Sequence, residues 1–314
     1  MISVILPTHN GMTTLPLVME SFEDVKPPAE GVEFIVVDNA SSDATRDVAV
    51  RYLDTLPLTV LSEPRQGKSF ALNKAIGVAR GDLIVFADDD VLPGVQWLTA
   101  FAQSAAAYPE VDLFAGQVRH FWQKEPPGWL HRLAEEGRSY GGTPVDQPEG
   151  PVSAIFFKGG NFMVRRKVID FVTFSERPGV NFAGDAASAG GEDTAFVEEA
   201  LSAGCRARYV PDACVRHIVR PQQVGILPVL RRYLRIGRSM TLSNRAQFDP
   251  GGARVLGFPR YLFRTIPRDV LIALRYWLSG NTYEAVDQLI GVAMTCGRAQ
   301  QWRDEVNAAG RAGQ

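Results

Sequence analysis

Short apolar runs alternate with segments of helical periodicity over the first 90 residues of the chain. The apolar runs predict strands at residues 2–6, 33–37, 59–61 and 83–87, and the segments between them predict helices near residues 15–22, 43–53 and 69–79. Strands that alternate with helices build a mostly parallel sheet covered by helices on both faces. In such α/β folds ligands bind beyond the carboxyl ends of the strands, so the residues that follow each strand are the candidates for function.

The pattern becomes irregular in the middle of the chain. Residues 120–151 are rich in Trp, Pro and Gly and lack periodicity, which predicts a long surface excursion. The small residues of 178–191 predict a mobile lid, followed by a helix that begins near Glu192.

The C-terminal third is helical in pattern and strongly basic. Arg-rich segments at 224–243 and 258–279 have helical periodicity, and residues 216–314 hold 15 arginines against 6 acidic residues. Because the whole chain carries a net charge of −2, this balance of +9 leaves −11 for the remainder. The asymmetry implies two regions with different partners. We predict a ligand-binding domain of residues 1–220 and a C-terminal helical, Arg-rich region of residues 221–314.

The composition indicates a protein of a reducing compartment. The chain opens directly into an apolar strand without the features of a signal peptide, and no apolar run approaches the length of a membrane span. Its three cysteines, Cys205, Cys214 and Cys296, lie far apart and suggest neither a disulfide framework nor a zinc site. We therefore expect a cytoplasmic location, extending to the inner face of the membrane.

Three consecutive aspartates, Asp88, Asp89 and Asp90, directly follow the apolar strand LIVFA. Adjacent carboxylates repel one another, and their desolvation is costly unless a cation compensates. A divalent ion, Mn²⁺ or Mg²⁺, held by one or two carboxylates and completed by water and phosphate meets this need. On an extended segment Asp88 and Asp90 point the same way and Asp89 the other. We therefore predict Asp90 as a metal ligand and Asp88 beside the metal or a ribose; a solvated acidic turn is the alternative.

Polar residues also follow the second and third strands. Asp38 ends the second strand, where its carboxylate is suited to accept the imide proton of uracil; capping of the following turn is the alternative. The segment 65–68 ends in Lys68 and precedes a helix that contains Asn73. Positive charge at a helix N-terminus suits a diphosphate, and a solvated basic loop is the alternative.

Three residues later in the chain are candidates for catalysis and metal binding. Glu192 and Asp193 open a helix, where the dipole stabilises carboxylates. If the crevice transfers a sugar, the acceptor hydroxyl needs a general base, and Asp193 is the candidate with Glu192 beside it. Capping of the helix by one of the two is the alternative. His217 ends a short strand, where its imidazole either completes a manganese shell or has a structural role.

Candidates for acceptor binding lie in and after the irregular excursion. Trp122 and Trp129 offer apolar platforms for a sugar ring, and packing of the loop onto the sheet is the alternative. Gly159, Gly160 and Asn161 are expected to contribute to the same surface. The basic amphipathic segments of the C-terminal region suit an anionic membrane surface or a lipid-linked acceptor. Binding to the acidic part of the chain and a homodimer face are the alternatives.

Six segments in order along residues 1–217 resemble the family 2 inverting glycosyltransferases of GT-A fold. They are SVILPTHN at 3–10, VVDNASSD at 36–43, QGKSFALNKAI at 66–76, ARGDLIVFADDD at 79–90, GGNFMVRR at 159–166 and GGEDTAFVEEALSAG at 190–204. The resemblance implies a Rossmann-like α/β fold, with a mostly parallel central sheet flanked by helices and a C-terminal helical region.

The resemblance also implies roles for individual residues. Asp193 is the general base, and the metal ligands are Asp90, Asp88 and His217. The residues expected to bind the donor are Pro7, Thr8, Asn10, Asp38, Lys68, Asn73, Asp88 and Asp89. His9 stands where an aromatic residue is frequent in the family, and the Q-x-x-R-W motif of processive synthases is absent, so single addition is favoured.

The sequence therefore predicts a metal-dependent, inverting transfer of a sugar from a nucleoside-diphosphate sugar to a hydroxyl acceptor. UDP is favoured by family habit, and the acceptor is a glycan or lipid-linked glycan in surface polysaccharide or glycan biosynthesis. A catalytically silent nucleotide- or glycan-binding module is the main alternative. A nucleotidyltransferase would usually carry an early glycine-rich loop with a basic residue, which PTHNGMT lacks. No nucleic acid partner is expected.

Overall fold

The computed structural model describes residues 1–176, 191–243, 254–255 and 258–312. The strands are β1 (Ile2–Thr8), β2 (Val32–Asp38), β3 (Leu58–Ser62), β4 (Leu83–Ala87), β5 (Val91–Pro93), β6 (Leu113–Trp122), β7 (Gly150–Pro151), β8 (Asn161–Arg165), β9 (Ala207–Val219), β10 (Arg254–Val255) and β11 (Phe258–Pro259). Within the described residues, the first nine form one sheet in the order β3-β2-β1-β4-β8-β6-β9-β5, with β7 paired to β9. The last two form a separate antiparallel pair.

The sheet is parallel in its first half and mixed in its second. Strands β3, β2, β1 and β4 pair in parallel, as the alternation of strands and helices predicts. Beyond β4, β8 runs antiparallel to both β4 and β6. Strand β9 is parallel to β6 but antiparallel to β5 and β7. The α/β fold class is confirmed, and the parallel order belongs to the half that carries the first four polar strand ends.

Ten helices are present in the described residues. They are α1 (Leu15–Glu23), α2 (Thr45–Val50), α3 (Lys68–Ile76), α4 (Trp97–Ala107), α5 (Gly128–Glu135), α6 (Arg166–Ile169), α7 (Glu192–Ser202), α8 (Ile226–Ser243), α9 (Leu262–Leu278) and α10 (Thr282–Ala312). Short 3₁₀ turns lie at Ala154–Phe156 and Pro221–Gln223.

Side chains that alternate along the strands divide the core into two layers. On one face Val4 packs in a cluster with Phe22 of α1 and Trp97 of α4, whose rings stack with centroids 6.2 Å apart. On the other face Ile5 belongs to a cluster that includes Phe196 of α7. Burial of each large apolar side chain contributes about 1.5–3 kcal/mol, so the two layers fix the helices on opposite faces of the sheet.

Two local predictions need correction. Helix α2 ends at Val50 instead of near residue 53 and is followed by turns, consistent with its content of β-branched residues. The segment 120–151 is more regular than predicted, because β6 continues to Trp122 and α5 follows. Leu130 and Leu133 of α5 are fully buried. This helical spacing of apolar residues was obscured in the sequence by the surrounding Pro and Gly.

The chain divides into two compact units. The first takes in Met1–Gln123, the described residues between 134 and 176, and Gly191–Val219; the second takes in Lys124–Leu133 and the described residues from Arg220 onward. The division of roles between residues 1–220 and 221–314 stays a prediction. The predicted lid at 178–191 lies outside the described residues except for Gly191.

The second unit is built around close packing of α8 on α10. A Cβ at Gly237 would overlap the backbone of Met294, and one at Gly297 would overlap the backbone of Leu234. Arg238 on α8 pairs with Asp304 of α10 at 3.1 Å. In the part of the chain that the structure describes, no helix combines the length and apolar character needed to cross a bilayer. The three cysteines are unpaired thiols and only partly buried.

Candidate functional site

The polar residues that follow the parallel strands meet at one edge of the sheet. Thr8 at the end of β1 lies beside Asp38 at the end of β2, which in turn lies beside Ser62 of β3. Strand β4 pairs with the other side of β1 and ends at Ala87, so the three aspartates follow at the same edge. The carboxyl edge of the sheet is therefore the candidate site.

The three aspartates point to three different partners. Residues 89–90 form a turn between β4 and β5, so the extended geometry expected for this segment is wrong. Asp88 Oδ1 lies 2.8 Å from Lys68 Nζ. Asp89 Oδ2 accepts a 2.5 Å hydrogen bond from Thr8 Oγ1, and Asp90 Oδ2 lies 3.2 Å from His217 Nε2. Each carboxylate of the triplet thus has its own hydrogen-bond or ion-pair partner.

Asp89 is the inward-facing member of the three. Burial raises its pKa to about 7, the charge of Asp90 adds to this rise, and the hydrogen bond from Thr8 opposes it. Thr8 is itself only 2% exposed. A Cβ at Gly11 would collide with both side chains, so this glycine permits the contact. In this structure the hydrogen bond between Thr8 and Asp89 therefore stabilises the turn at 89–90. A contact of either residue with the donor substrate stays a prediction.

Asp90 and His217 form a pair suited to a divalent ion. Strands β5 and β9 place Val91 beside His217, which brings the two side chains together. Two ligands that bind one ion at about 2.1 Å and at right angles lie about 3.0 Å apart, close to the observed 3.2 Å between Oδ2 and Nε2. Nδ1 of His217 is buried with no hydrogen-bond partner in the described residues, so no contact there fixes the tautomer.

The protein ligands alone do not complete a metal shell. Among the described residues, no group of three or more His, Cys, Asp or Glu side chains is placed to hold an ion by itself. Mg²⁺ sites commonly combine one or two carboxylates with substrate phosphates and water. Asp90 and His217 therefore supply two protein ligands, and an ion here would take the rest of its shell from other sources.

A second cluster surrounds the ammonium of Lys68. Lys68 begins α3, and its Nζ lies 2.8 Å from Asp88, 3.2 Å from Asp193 and 3.6 Å from Glu192. Burial lowers the pKa of Lys68, but the charges of Asp193, Asp88 and Glu192 outweigh this effect and hold it well above its usual value. One permanent positive charge therefore joins the first aspartate of the triplet to the start of α7.

The two acidic residues at the start of α7, Glu192 and Asp193, differ in their hydrogen bonds. Burial raises the pKa of Asp193 to about 7, partly offset by Lys68 and reinforced by Glu192 and Asp88. Its Oδ1 is buried and lacks a hydrogen-bond partner in the described residues. Glu192 Oε2 instead accepts the amide of Gly191 at 3.1 Å, so it serves the helix start, as the alternative for this pair predicts.

Gly159 and Gly160 bring the backbone against these carboxylates. A Cβ at Gly159 would overlap the Asp193 carboxylate and lie 2.8 Å from Lys68 Nζ. One at Gly160 would lie 2.8 Å from Val91 Cγ1 and 3.2 Å from Asp88 Oδ2. Neither position has room for a side chain while the cluster keeps this geometry.

Asn161 does not fit the acceptor role predicted for it. Its side chain is fully buried, and its Nδ2 donates to the carbonyls of Gln117 and Ala213, each at 2.8 Å. Its Oδ1 accepts the indole hydrogen of Trp97 at 2.7 Å. These hydrogen bonds satisfy the amide inside the sheet, so Asn161 is a structural residue here.

The donor-side candidates make contacts within the protein. Pro7 is buried inside β1. Asn10 has a φ of 52°, and its Oδ1 accepts the amide of Ser42 at 2.8 Å. Asp38 Oδ1 accepts the amide of Ser41 at 3.2 Å, which is the turn-capping alternative. Thus Asn10 and Asp38 shape adjoining loops at the sheet edge.

Asn73 lies farther along α3 and holds another segment. Its Nδ2 donates to the carbonyl of Phe174 at 2.8 Å and to Glu176 at 3.1 Å, while its Oδ1 accepts the Phe174 amide. These contacts border a cavity of about 740 Å³ lined by Asn73, Ile76, Gly77, Thr173, Phe174, Ser175 and Glu176. The side-chain hydrogen bonds of Asn73 thus run to the segment 174–176, and its donor role stays a prediction.

Asn39 is a site residue to which sequence reasoning gave no role. Its buried amide donates to the carbonyls of Glu63 at 3.1 Å and Arg65 at 2.7 Å, and accepts the Gly67 amide at 2.8 Å. Gly67 has a φ of 144°, in the region that favours glycine. Asn39 therefore shapes the loop that positions Lys68. The sequence signal for this role was the Asp38-Asn39 pair at the end of β2.

The two tryptophans predicted for the acceptor lie in different units. Trp122 ends β6, is half-buried, stacks on His120 with centroids 5.0 Å apart, and meets Tyr140 edge to face at 6.4 Å. Trp129 lies on α5, in the second unit. Packing within the protein is observed for Trp122, and acceptor contact by either residue stays a prediction.

Comparison with known proteins identifies the family. The model of glycosyl transferase family 2 matches residues 3–172. The chain is 28% identical to the glycosyltransferase AglE of Haloferax volcanii over 240 residues, 76% of this chain and 72% of that protein. It is 30% identical to an N-acetylglucosaminyltransferase of Azorhizobium caulinodans over 252 residues, 76% of this chain but 59% of that protein. The match to validoxylamine A glucosyltransferase of Streptomyces hygroscopicus spans 33% of that protein.

Solved structures agree with the fold. The mannosyltransferase PcManGT of Pyrobaculum calidifontis, in complex with GDP-Man and Mn²⁺, has a TM-score of 0.55 at 21% identity over 99% of this chain and 79% of its own. TarS 1-349 of S. aureus in complex with UDP has a TM-score of 0.53 at 17% identity over 100% and 92%. At these identities the structural likeness establishes the GT-A fold alone. Because the family model covers more than half of the chain, the protein belongs to glycosyl transferase family 2 and is a glycosyltransferase.

Proposed function

We propose that the protein transfers a sugar from a nucleoside-diphosphate sugar to a hydroxyl acceptor, with inversion, in glycan or polysaccharide biosynthesis. The observation that carries this proposal is the ammonium of Lys68, which contacts Asp88 at 2.8 Å and Asp193 at 3.2 Å. One residue belongs to the aspartate triplet and the other to the start of α7, 105 positions further along the chain. An acceptor hydroxyl bound to Asp193 would lie within a few ångströms of a donor whose diphosphate is held through a divalent ion beside Asp88.

Asp193 is the proposed general base. In the reaction its carboxylate accepts the proton of the acceptor hydroxyl while that oxygen attacks the anomeric carbon, and the bond from this carbon to the diphosphate oxygen breaks. Attack opposite the leaving group inverts the anomeric configuration. The unpartnered Oδ1 leaves an acceptor position for that proton, and Lys68 fixes the other oxygen.

Asp90, His217 and Asp88 are the proposed holders of Mn²⁺ or Mg²⁺. A divalent ion bound there would offset the charge of the departing nucleoside diphosphate. The 3.2 Å spacing of Asp90 Oδ2 and His217 Nε2 supports this assignment, and water and donor phosphates would supply the remaining ligands. The Pyrobaculum mannosyltransferase bound to GDP-Man and Mn²⁺ is consistent with such chemistry on this fold.

The nucleotide is proposed to lie along the ends of β1 and β2. Asp38, Thr8 and Asn10 lie there, and the loop shaped by Asn39 presents Lys68 beside them. A UDP-sugar is favoured as donor, and the TarS structures with UDP and UDP-GlcNAc are consistent with this choice. The acceptor is proposed to be a glycan or lipid-linked glycan that approaches Gly159 and Gly160, at the inner face of a membrane.

Ligand-induced stabilisation tests the donor site. The melting temperature is measured with UDP, GDP, dTDP and ADP, each with and without Mn²⁺, for wild type, Asp90→Asn and His217→Gln. We expect one diphosphate to stabilise wild type only when Mn²⁺ is present and to lose this effect in both variants. The exposed Asp54→Asn serves as the matched control and should behave as wild type. Equal stabilisation without metal, or no response to any diphosphate, would overturn the proposed site.

A further inference from the structure

Helix α9 exposes an unusually apolar face. Leu262 and Ala273 are its buried residues and define the side that packs on the protein. Large apolar side chains on the rest of the helix are 41–78% exposed: Phe263, Val270, Leu271, Leu274, Trp277 and Leu278. Monomeric proteins rarely keep so many large apolar side chains together in water, and such patches usually mark an interaction surface.

The apolar and basic residues of α9 occupy separate, adjoining sectors. At about 100° per residue, the six exposed apolar side chains fall within about 120° of the helix circumference. Arg264, Arg268 and Arg275 follow within about 40° along one border of that sector. The one acidic residue of this helix, Asp269, lies toward the packed side, is partly buried and pairs with Arg268 at 2.8 Å. The exposed surface is therefore an apolar stripe with a cationic edge.

We propose that this face of α9 lies in the interfacial layer of an anionic membrane, parallel to the membrane surface. The apolar side chains enter the boundary of the acyl chains, and the arginines contact lipid phosphates. Trp277 is of the type that prefers this layer. Crossing the bilayer is excluded for α9, because it has 17 residues and three arginines on its exposed side.

The charge pattern favours lipid over a second copy of the chain. In an antiparallel two-fold pairing of this face, the row of arginines on one copy would lie beside the row on the other. Asp269 pairs with Arg268, but the exposed sector of α9 contains no acidic residue to offset Arg264 and Arg275. Anionic headgroups supply that charge, so the surface is complementary to a membrane and self-repulsive in a dimer.

Helix α8 has a similar basic sequence, but its contacts differ from those of α9. On α8, Arg238 is committed to Asp304 and Gln301 of α10, and Tyr233 is buried. Its apolar side faces α10 through the contacts of Gly237 and Gly297. The amphipathic pattern of α8 therefore reflects packing inside the second unit. The proposal for α9 is independent of the sugar-transfer reaction.

Vesicle flotation of the full chain tests the proposal. Binding is compared for vesicles of phosphatidylcholine and vesicles that also contain phosphatidylglycerol. One variant carries Leu271→Gln with Leu274→Gln, and another carries Arg264→Gln with Arg275→Gln. Matched controls change exposed residues of the first unit: Leu53→Gln with Val78→Gln, and Arg51→Gln with Arg206→Gln. All changed side chains are exposed, so every variant is expected to fold. An unchanged melting temperature for each variant verifies this.

We expect wild type and both controls to bind the anionic vesicles in preference to the neutral ones. Each lost arginine should weaken binding about fivefold, so the double arginine variant falls about 25-fold. The double leucine variant should fall about tenfold or more. Absence of wild-type binding, or equal binding by the α9 variants and their controls, overturns the proposal. Conversion of a wild-type dimer to monomer by the leucine variant, without vesicle binding, would assign the face to a second copy instead.

Discussion

At the site, one ammonium and two glycines organise groups that repel each other. Lys68 holds Asp88 and Asp193, which would otherwise be close carboxylates in a partly desolvated pocket. Gly159 and Gly160 make room for this arrangement because they lack Cβ atoms. The site thus depends on small residues as much as on charged ones.

We predict that Gly159→Ala inactivates the enzyme. The added methyl overlaps the Asp193 carboxylate, so the base must shift by about 1 Å, which can reduce turnover about 100-fold. Gly128→Ala is the matched control, because a Cβ at Gly128 meets no atom within 4 Å. Initial rates of nucleoside diphosphate release measure the effect. Equal rates in the two variants would show that the position of Asp193 is not critical.

The identity of the candidate site residues was easier to predict from the sequence than their arrangement. The aspartate triplet and Lys68 were recognised as candidates because they follow apolar strands, and Asp193 because it opens a helix after a stretch of small residues. Their partners were not, because the turn at 89–90 sends each carboxylate in its own direction. The contact of Lys68 with Asp193 joins the first turns of α3 and α7 across 125 positions of sequence, which no local pattern encodes.

At the scale of elements, a buried carboxylate joins β1, β2 and the start of β4. Glu33 of β2 accepts hydrogen bonds from Ser3 Oγ at 2.6 Å, the Arg80 amide at 2.7 Å and Arg80 Nε at 2.8 Å. Burial by itself would raise the pKa of Glu33, but these hydrogen bonds and the charge of Arg80 outweigh it and hold the pKa below its usual 4.5.

This network makes part of the stability dependent on pH. A carboxyl group whose pKa is lowered by folding stabilises the protein above its unfolded value, and the benefit is lost as pH falls through the folded value. Glu33→Gln should lower the free energy of unfolding by about 1–3 kcal/mol near neutral pH. The difference from wild type should shrink below pH 4.5. Urea unfolding at several pH values measures it, with the exposed Glu30→Gln as control; a difference that does not change with pH would contradict this role.

The contact between α8 and α10 yields another prediction. Gly237→Ala should destabilise the second unit by about 1–3 kcal/mol, because the new methyl overlaps the backbone of Met294. Gly291→Ala in α10 meets nothing within 4 Å and should be neutral or stabilising by about 0.5–1 kcal/mol. Thermal or urea unfolding distinguishes them, and equal effects of the two substitutions would argue against close helix packing at Gly237.

Elements with strong periodicity were the predictable ones. Strands β1, β2, β3 and β4 and helices α1, α3 and α7 lie within a few residues of their predicted positions. Helix α5 was missed because its short apolar stripe is flanked by Trp, Pro and Gly. The mixed half of the sheet was also beyond local patterns, since β9 pairs with strands far from it in sequence.

At the scale of the whole molecule, the charge distribution explains why a cation is expected in the reaction. Residues 1–215 carry a net charge of −11, yet the proposed donor is an anionic diphosphate. Three carboxylates already surround Lys68 and largely neutralise its charge, so Lys68 contributes little to binding the diphosphate. A divalent ion at Asp90 and His217 would offset this negative charge, whereas the partner that we propose for the basic C-terminal region is an anionic membrane surface at α9.

The configuration of the sugar product tests direct displacement assisted by Asp193. Early time points of a reaction with the stabilising donor and Mn²⁺ are followed by NMR for wild type, Asp193→Asn and the exposed control Asp212→Asn. We expect an inverted anomeric centre, with turnover of Asp193→Asn reduced about 10²- to 10⁴-fold and that of Asp212→Asn unchanged. Retention of configuration, or full turnover by Asp193→Asn, would contradict direct displacement assisted by Asp193.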